Sequence, residues 1–149
     1  MDWRLIQANY DLFEFFKACI EFRRRHTVLR NGYFLRGEDY LKRGAPDVSW
    51  HGLKVGKPDW SDNSLVLAML LNGDYAKGGL ALDDHIYIVM NMHWQDQTFD
   101  LPPAPGKKRW HMFANTSTGE LHWPGTEALL GDQRKLPLKS YAVAILVGK

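Results

Sequence analysis

The chain has 149 residues, 45% of them hydrophobic, which is enough for one domain that buries a substantial core. Its 19 basic and 17 acidic residues give a formal net charge of +2, so we expect neither nucleic acid nor a membrane as a partner. The single cysteine, Cys19, excludes an internal disulfide framework and is typical of a reducing compartment.

No apolar run approaches the roughly 20 residues that span a bilayer. Met1 is followed by Asp2 and Trp3 rather than by the basic segment and apolar stretch of a signal peptide. We therefore expect a cytoplasmic protein.

Residues 1–30 carry the apolar spacing of an amphipathic helix, and this segment is predicted to be helical. Asn9 or Asp11 could cap its start, and three arginines at positions 23–25 would oppose the negative end of its dipole. The stripe is unusually wide and needs a large partner surface. Its members are Leu12, Phe13, Phe15, Phe16, Cys19, Ile20 and Phe22.

After residue 30 the pattern changes from helical to extended. Residues 31–62 are rich in Gly, Pro, Asp and Ser, which indicates loops with short extended pieces. Four apolar runs of strand length follow, at residues 65–71, 86–92, 109–114 and 141–147, with turn signals between them. The chain is therefore predicted to be mainly β, an antiparallel β-sandwich over residues 31–149 with the N-terminal amphipathic α-helix packed on it.

Several short strings of residues occur in a characteristic order. Asp-Val-Ser-Trp-His-Gly occupies residues 47–52 and Pro-Asp-Trp-Ser-Asp occupies residues 58–62. An arginine-rich string at 22–30 precedes them, and the strings at 91–94 and 99–103 follow. This ordered set resembles the C-terminal end of the glycogen-debranching, isoamylase-type enzymes of the α-amylase superfamily.

The resemblance implies that residues 11–29 correspond to the last helix of the family's catalytic barrel and that the family's C-terminal β-domain begins at residue 65. Family members carry their catalytic carboxylates on earlier barrel strands, which would precede Met1. The chain departs from the family pattern at Thr27, where Pro is common, and at residues 115–117, where Asp-Thr is common; neither position carries chemistry. The motif residues that are given structural roles are Trp50, His51, Gly52, Asp59 and Trp60.

The chain offers no convincing pair of catalytic carboxylates. A retaining glycosidase needs two carboxyl groups about 5–5.5 Å apart, one of them with a raised pKa. The nearest sequence pairs, Asp59 with Asp62 and Asp83 with Asp84, lie in loop-like segments where turn formation explains them. A (β/α)₈ barrel also takes about 250 residues. We therefore predict no catalytic residue in this chain.

Metal and cofactor sites are not predicted either. Five histidines are scattered without the i, i+4 spacing of a zinc-binding helix: His51, His85, His93, His111 and His122. Cys19 lies within the helical apolar stripe and is interpreted as core packing rather than as a nucleophile. The pair Gly78-Gly79 lacks the following Lys and helix of a phosphate loop.

Carbohydrate contact is the one binding hypothesis that the residues support. Sugars stack their apolar faces on aromatic rings while Asn, Asp and His bond their hydroxyls. Trp94 and Trp123 have such neighbours, and the family resemblance would put Trp3 near the substrate cleft. The alternative is that these rings are core or barrel-facing anchors.

These observations favour a non-catalytic accessory domain of a glycogen-debranching enzyme that hydrolyses α-1,6 branch linkages. Its expected partner is an upstream catalytic barrel, and an α-glucan is a second candidate partner. The apolar helix face could also form a homodimer. A stand-alone carbohydrate-binding module is the alternative, followed by an independent enzyme of unknown type.

Overall fold

The computed structural model describes residue 3 and residues 5–149 and shows a mainly β protein with helices at its N-terminal end. A short helix, α1 (Leu5–Ala8), leads into α2 (Tyr10–Arg25), and 3₁₀ segments follow at Thr27–Arg30, Gly73–Gly79 and Pro105–Lys107. The strands of the described residues are β1 (Val48–His51), β2 (Val66–Leu71), β3 (His85–Asn91), β4 (Gln97–Asp100), β5 (Trp110–Asn115), β6 (Glu120–Leu121), β7 (Ala128–Leu129), β8 (Lys135–Leu138) and β9 (Ala142–Gly148).

Seven of these strands form one antiparallel sheet in the order β1-β2-β3-β9-β5-β6, with β7 also paired to β5. The remaining two, β4 and β8, form a separate antiparallel ribbon in which Phe99 lies opposite Leu136. The four predicted apolar runs correspond to β2, β3, β5 and β9, each displaced by at most one residue at either end. The predicted antiparallel architecture is confirmed.

The ribbon of β4 and β8 covers one face of the large sheet. Because successive side chains of a strand point to opposite faces, Tyr87 and Val89 of β3 enter this layer while Ile86 points away from it. Phe99 and Leu136 of the ribbon pack against them. The layer also contains Trp110, whose indole Nε1 donates to the carbonyl of Pro102 at 2.7 Å.

Helix α2 covers part of the other face. Ala18 and Phe22 are buried there together with Ile86, Phe113 and Val147 of the sheet. The protein therefore consists of a helix, a large sheet and a small ribbon, which confirms the predicted sandwich with a packed helix. Among the described residues, no helix combines the length and the apolar character needed to cross a membrane.

Helix α2 ends earlier than the sequence resemblance implies. It stops at Arg25 because His26 adopts an extended conformation, with φ −93° and ψ 106°, and Thr27–Arg30 continues as a 3₁₀ segment. Asn9 does precede the helix, but its side chain makes no capping bond and instead donates to the carbonyl of Leu5 at 2.9 Å. Of the two alternatives predicted for the cap, Asn9 occupies the position but makes no side-chain capping bond, and Asp11 lies inside the helix in its first turn.

Candidate functional site

An apolar surface covers the side of α2 that turns away from the sheet. The helical period places Ala18 and Phe22 on the sheet, whereas Phe16 and Ile20 lie on the opposite side with 58% and 61% of their surface exposed. We call this the outer helix surface. Its members are Trp3, Leu5, Ile6, Leu12, Phe13, Phe16, Ile20 and Trp123.

Two adjoining grooves make the outer helix surface continuous. A groove of about 370 Å³ lies between α2 and Trp123, and one of about 300 Å³ lies between Trp3, α1 and α2. Phe13 and Phe16 line both of them. Contiguous apolar patches of this kind are uncommon on monomeric proteins and mark sites of interaction.

Charged side chains border the outer helix surface but leave its centre apolar. Lys17 pairs with Glu14 at 3.1 Å, and its ammonium lies 5.7 Å from the centroid of the Trp123 ring. Arg24 and Glu21 pair at 3.8 Å farther along the helix. An apolar centre with a polar rim is the usual anatomy of a protein–protein interface.

The three tryptophans predicted to contact carbohydrate lie in two different places. Trp3 and Trp123 both belong to the outer helix surface, whereas Met1 and Asp2 of the same predicted loop lie outside the described residues. Trp94 lies on the turn after β3, where it is 64% exposed and stacks on the His93 ring at 3.9 Å. The structure therefore does not bring the three together into one site.

The buried carboxylate of Asp47 organises the loop before β1. Although only 1% of Asp47 is exposed, its oxygens accept hydrogen bonds from the backbone N–H groups of Arg36, Gly37 and Val48, each at 2.8 Å. These bonds replace the water that the carboxylate loses on burial. Asp47 therefore fixes the long connection from the helix to the sheet.

Ser49, His51 and Gly52, of the same string as Asp47, stabilise the hairpin that follows β1. The Gly56 N–H donates to Nδ1 of His51 at 2.8 Å, so Nε2 carries the proton and donates to the Ser49 hydroxyl at 2.9 Å. Burial lowers the pKa of His51, which favours this neutral form. A Cβ added to Gly52 would lie 2.4 Å from the carbonyl oxygen of Lys57, so only glycine fits there.

Trp50 and Trp60 contact each other, with ring centroids 5.7 Å apart at an interplanar angle of 71°. Trp50 is 38% exposed and Trp60 is 65% exposed. Asp59, beside Trp60, accepts the backbone N–H of Ser61 at 3.0 Å in a local turn. The structural role of Trp50, Asp59 and Trp60 stays a prediction.

None of the carboxyl groups with a resolved pKa shift in the described part of the chain has a raised pKa. The backbone N–H of Ser61 lowers the pKa of Asp59, and Lys54 and Lys135 lower that of Asp100. Hydrogen bonds and cations likewise lower the pKa of Asp39, Asp83 and Glu127. A general acid needs the opposite shift.

Asp83 joins the end of α2 to the loop before β3. Its oxygens accept from His26 Nδ1 at 2.9 Å, from the Val28 N–H at 2.9 Å and from the Thr27 hydroxyl at 3.2 Å. Burial would raise the pKa of Asp83, but these bonds outweigh it and lower the pKa. The sequence predicts only a turn at Asp83, because no local pattern relates this residue to Val28, 55 positions away.

His26, Asp83 and Asp84 form the one group of possible metal ligands found among the described residues. Four donors already occupy the Asp83 oxygens, the fourth being the Asp84 N–H at 2.8 Å. The Lys108 ammonium lies 3.6 Å from the Asp84 carboxylate, where it supplies positive charge. These contacts connect the end of α2 with the loop before β3.

Comparisons with known proteins identify a family that matches most of this chain. Residues 49–144 match the family model described as "Isoamylase 1-3, C-terminal". Proteins named "Glycogen operon protein GlgX homolog" from Mycobacterium bovis and Mycobacterium tuberculosis are 30% identical over 132 residues, which cover 81% of this chain. The matched region is 17% of the length of each of these relatives. This chain therefore spans less than a fifth of the relatives it matches.

Proposed function

The chain belongs to the isoamylase 1-3 C-terminal family, and we propose that it is the non-catalytic accessory domain of a glycogen-debranching enzyme. The parent activity would be the hydrolysis of α-1,6 branch linkages in glycogen or a related glucan. The role of this domain would be to pack on the upstream catalytic domain and stabilise it. The relatives are several times longer than the matched region, which leaves room for such a domain.

The exposed outer helix surface is the observation that carries this proposal. Helix α2 packs only one side on the sheet and leaves Phe13, Phe16 and Ile20 in solvent. The family resemblance equates α2 with the last helix of the catalytic barrel, whose neighbouring helices would cover these side chains. At about 25 cal/mol per Å² of buried apolar area, this contact would stabilise both domains.

The carboxyl groups support a non-catalytic role. Asp59 and Asp62 are exposed on a loop, and the Asp83 oxygens are committed to the end of α2. The pKa of Asp59 and that of Asp83 are both lowered, so neither carboxyl is suited to protonate a glycosidic oxygen near neutral pH. The reacting groups would come from the upstream domain.

The coding sequence upstream of Met1 tests the assignment. We expect an in-frame sequence that encodes a (β/α)₈ barrel with the family's carboxylates. A stop codon and an unrelated gene in that place would contradict the accessory-domain proposal and favour a stand-alone module.

Hydrolysis by the chain alone is the second test. The purified chain should release no reducing ends from glycogen, branched limit dextrin or pullulan. Turnover that is lost in Asp59→Asn or Asp62→Asn would show that this chain carries its own catalytic carboxylates.

A further inference from the structure

A third groove, separate from the two on the outer helix surface, lies where the loop before β2 crosses the start of β2 and the end of β3, and we call it the Trp60 groove. Its volume is about 490 Å³, within the range of roughly 300–1,000 Å³ that small-molecule sites occupy. Trp60, the motif residue with 65% of its surface exposed, forms one wall.

The groove combines an apolar floor with a polar rim. Leu65, Met90 and Met92 supply apolar side chains beside the Trp60 ring. The rim residues are Asp59, Ser61 and Ser64. An aromatic ring with hydroxyl and carboxylate groups next to it is suited to a sugar, which has an apolar ring face and hydroxyls at its edge.

Local bonds hold the Trp60 loop in place before any ligand binds. The Trp50 ring supports Trp60 edge to face, with centroids 5.7 Å apart. Asp59 accepts the Ser61 N–H at 3.0 Å, and the Ser64 N–H donates to the Ser61 carbonyl at 3.0 Å. A binding site formed in advance loses less conformational freedom when the ligand binds.

The charge at the rim favours a sugar over a covering protein. The N–H of Ser61 lowers the pKa of Asp59, so its carboxylate is ionised at neutral pH, and Asp62 lies three positions farther along the same exposed loop. A protein partner would have to bury these charges against its own cations, whereas sugar hydroxyls can donate to them in the presence of water. The outer helix surface, by contrast, has an apolar centre.

We propose that the Trp60 groove binds glucose units of an α-glucan chain. The Trp60 ring would stack on the apolar face of one glucose unit, and Asp59 would accept a hydrogen bond from a sugar hydroxyl. The choice of glucose as the sugar rests on the proposed function. The suitability of the groove for a sugar does not, because it depends only on the Trp60 ring and the rim residues. In a debranching enzyme the groove would hold a chain of the substrate.

Titration of the isotope-labelled chain with maltoheptaose, followed by ¹H–¹⁵N spectra, tests the proposal. The amide signals of residues 59–66 and the Trp60 indole signal should shift, with a millimolar dissociation constant. Trp60→Ala should weaken binding at least about tenfold, whereas Trp60→Phe keeps an aromatic ring and should remain within about threefold. Asp59→Asn keeps the turn-forming oxygen but removes the charge and should weaken binding about three- to tenfold.

Matched controls separate this groove from the other exposed tryptophans. Trp94→Ala and Trp123→Ala remove rings that are 64% and 43% exposed and should leave the affinity unchanged. Loss of binding in Trp94→Ala with retention in Trp60→Ala would overturn the proposal. So would the absence of any shift at about 50 mM maltoheptaose, or equal binding of a β-linked cello-oligosaccharide.

The sugar-groove proposal and the accessory-domain proposal can be refuted separately. A barrel encoded upstream of Met1 together with no maltoheptaose binding would refute only the sugar groove. Specific binding at Trp60 in a protein with no upstream barrel would refute only the accessory-domain role.

Discussion

The Phe22 ring of α2 stacks on the Phe113 ring of β5, with centroids 3.9 Å apart and planes 21° from parallel. Phe22 is 3% exposed and Phe113 is fully buried. A further ring, that of His26, lies 4.4 Å from Phe22 and extends the contact to the end of the helix. This stack is the central contact between the helix and the sheet.

Replacement of Phe22 should therefore loosen the helix from the sheet. We expect Phe22→Ala to lower the free energy of unfolding by about 3–5 kcal/mol, because it leaves a cavity against Phe113. Phe16→Ala, on the exposed side of the same helix, should change it by no more than about 0.5 kcal/mol. Urea denaturation followed by circular dichroism measures both, and equal effects would contradict the assignment of the two helix faces.

Gly52 of the Asp-Val-Ser-Trp-His-Gly string should not tolerate a side chain. A Cβ there would lie 2.4 Å from the Lys57 carbonyl oxygen, and this backbone atom cannot move without opening the hairpin. We expect Gly52→Ala to destabilise the domain by about 1–3 kcal/mol. Gly131→Ala is the matched control because nothing lies within 4 Å of the added carbon. A Gly52→Ala protein with the melting temperature of the control would contradict the close approach.

The stability of the domain should fall as the pH drops through the range of histidine titration. Burial lowers the pKa of both His51 and His85 from the ordinary value of 6.5, and each ring accepts a backbone N–H at Nδ1, from Gly56 and from Gly73. Because the pKa is lower in the folded chain, the unfolded chain binds more protons in this range. The contribution of each neutral histidine to the free energy of unfolding is therefore complete above about pH 6.5 and is lost as the pH falls below it. Each histidine contributes a slope of at most about 1.4 kcal/mol per pH unit.

A variant of His51 isolates its share of this slope. The amide of Gln can accept the Gly56 N–H and donate to Ser49 without titrating, so His51→Gln should flatten the fall in stability between pH 7 and pH 5. The carboxyl groups with a lowered pKa, such as Asp83 and Glu127, lose their contribution only at lower pH. Urea midpoints across this range give the slope, and an unchanged slope in His51→Gln would show that protonation of His51 does not limit stability.

The apolar periodicities of the sequence identified the helix and four sheet strands, because the apolar residues of each element recur at the spacing of its secondary structure. The ribbon of β4 and β8 was not predicted, since both strands are short and Pro137 interrupts the second. The early end of α2 depends on Asp83, which is distant in sequence. Such long-range bonds leave no local pattern.

The candidate site was only partly predictable for the same reason. The width of the apolar stripe on α2 indicated an uncovered face, and the structure shows that face exposed. No spacing rule could bring Trp123 beside Phe13 and Phe16, because their approach depends on how the loop after β6 packs on the helix. A bulge in β5 similarly places both Phe113 and Ala114 on the helix side of the sheet, against simple alternation.

Self-association of the isolated chain tests most directly whether the outer helix surface is an interface without its partner. Light scattering across a dilution series should show a mass that rises with concentration for the wild type, whereas Phe13→Glu and Phe16→Glu should remain monomeric. Phe34→Glu is the matched control, because Phe34 is 96% exposed but lies outside this surface, and it should associate like the wild type. A strictly monomeric wild type at high micromolar concentration would contradict the claim that the outer helix surface is an interface, since this surface would then remain exposed to water without driving association.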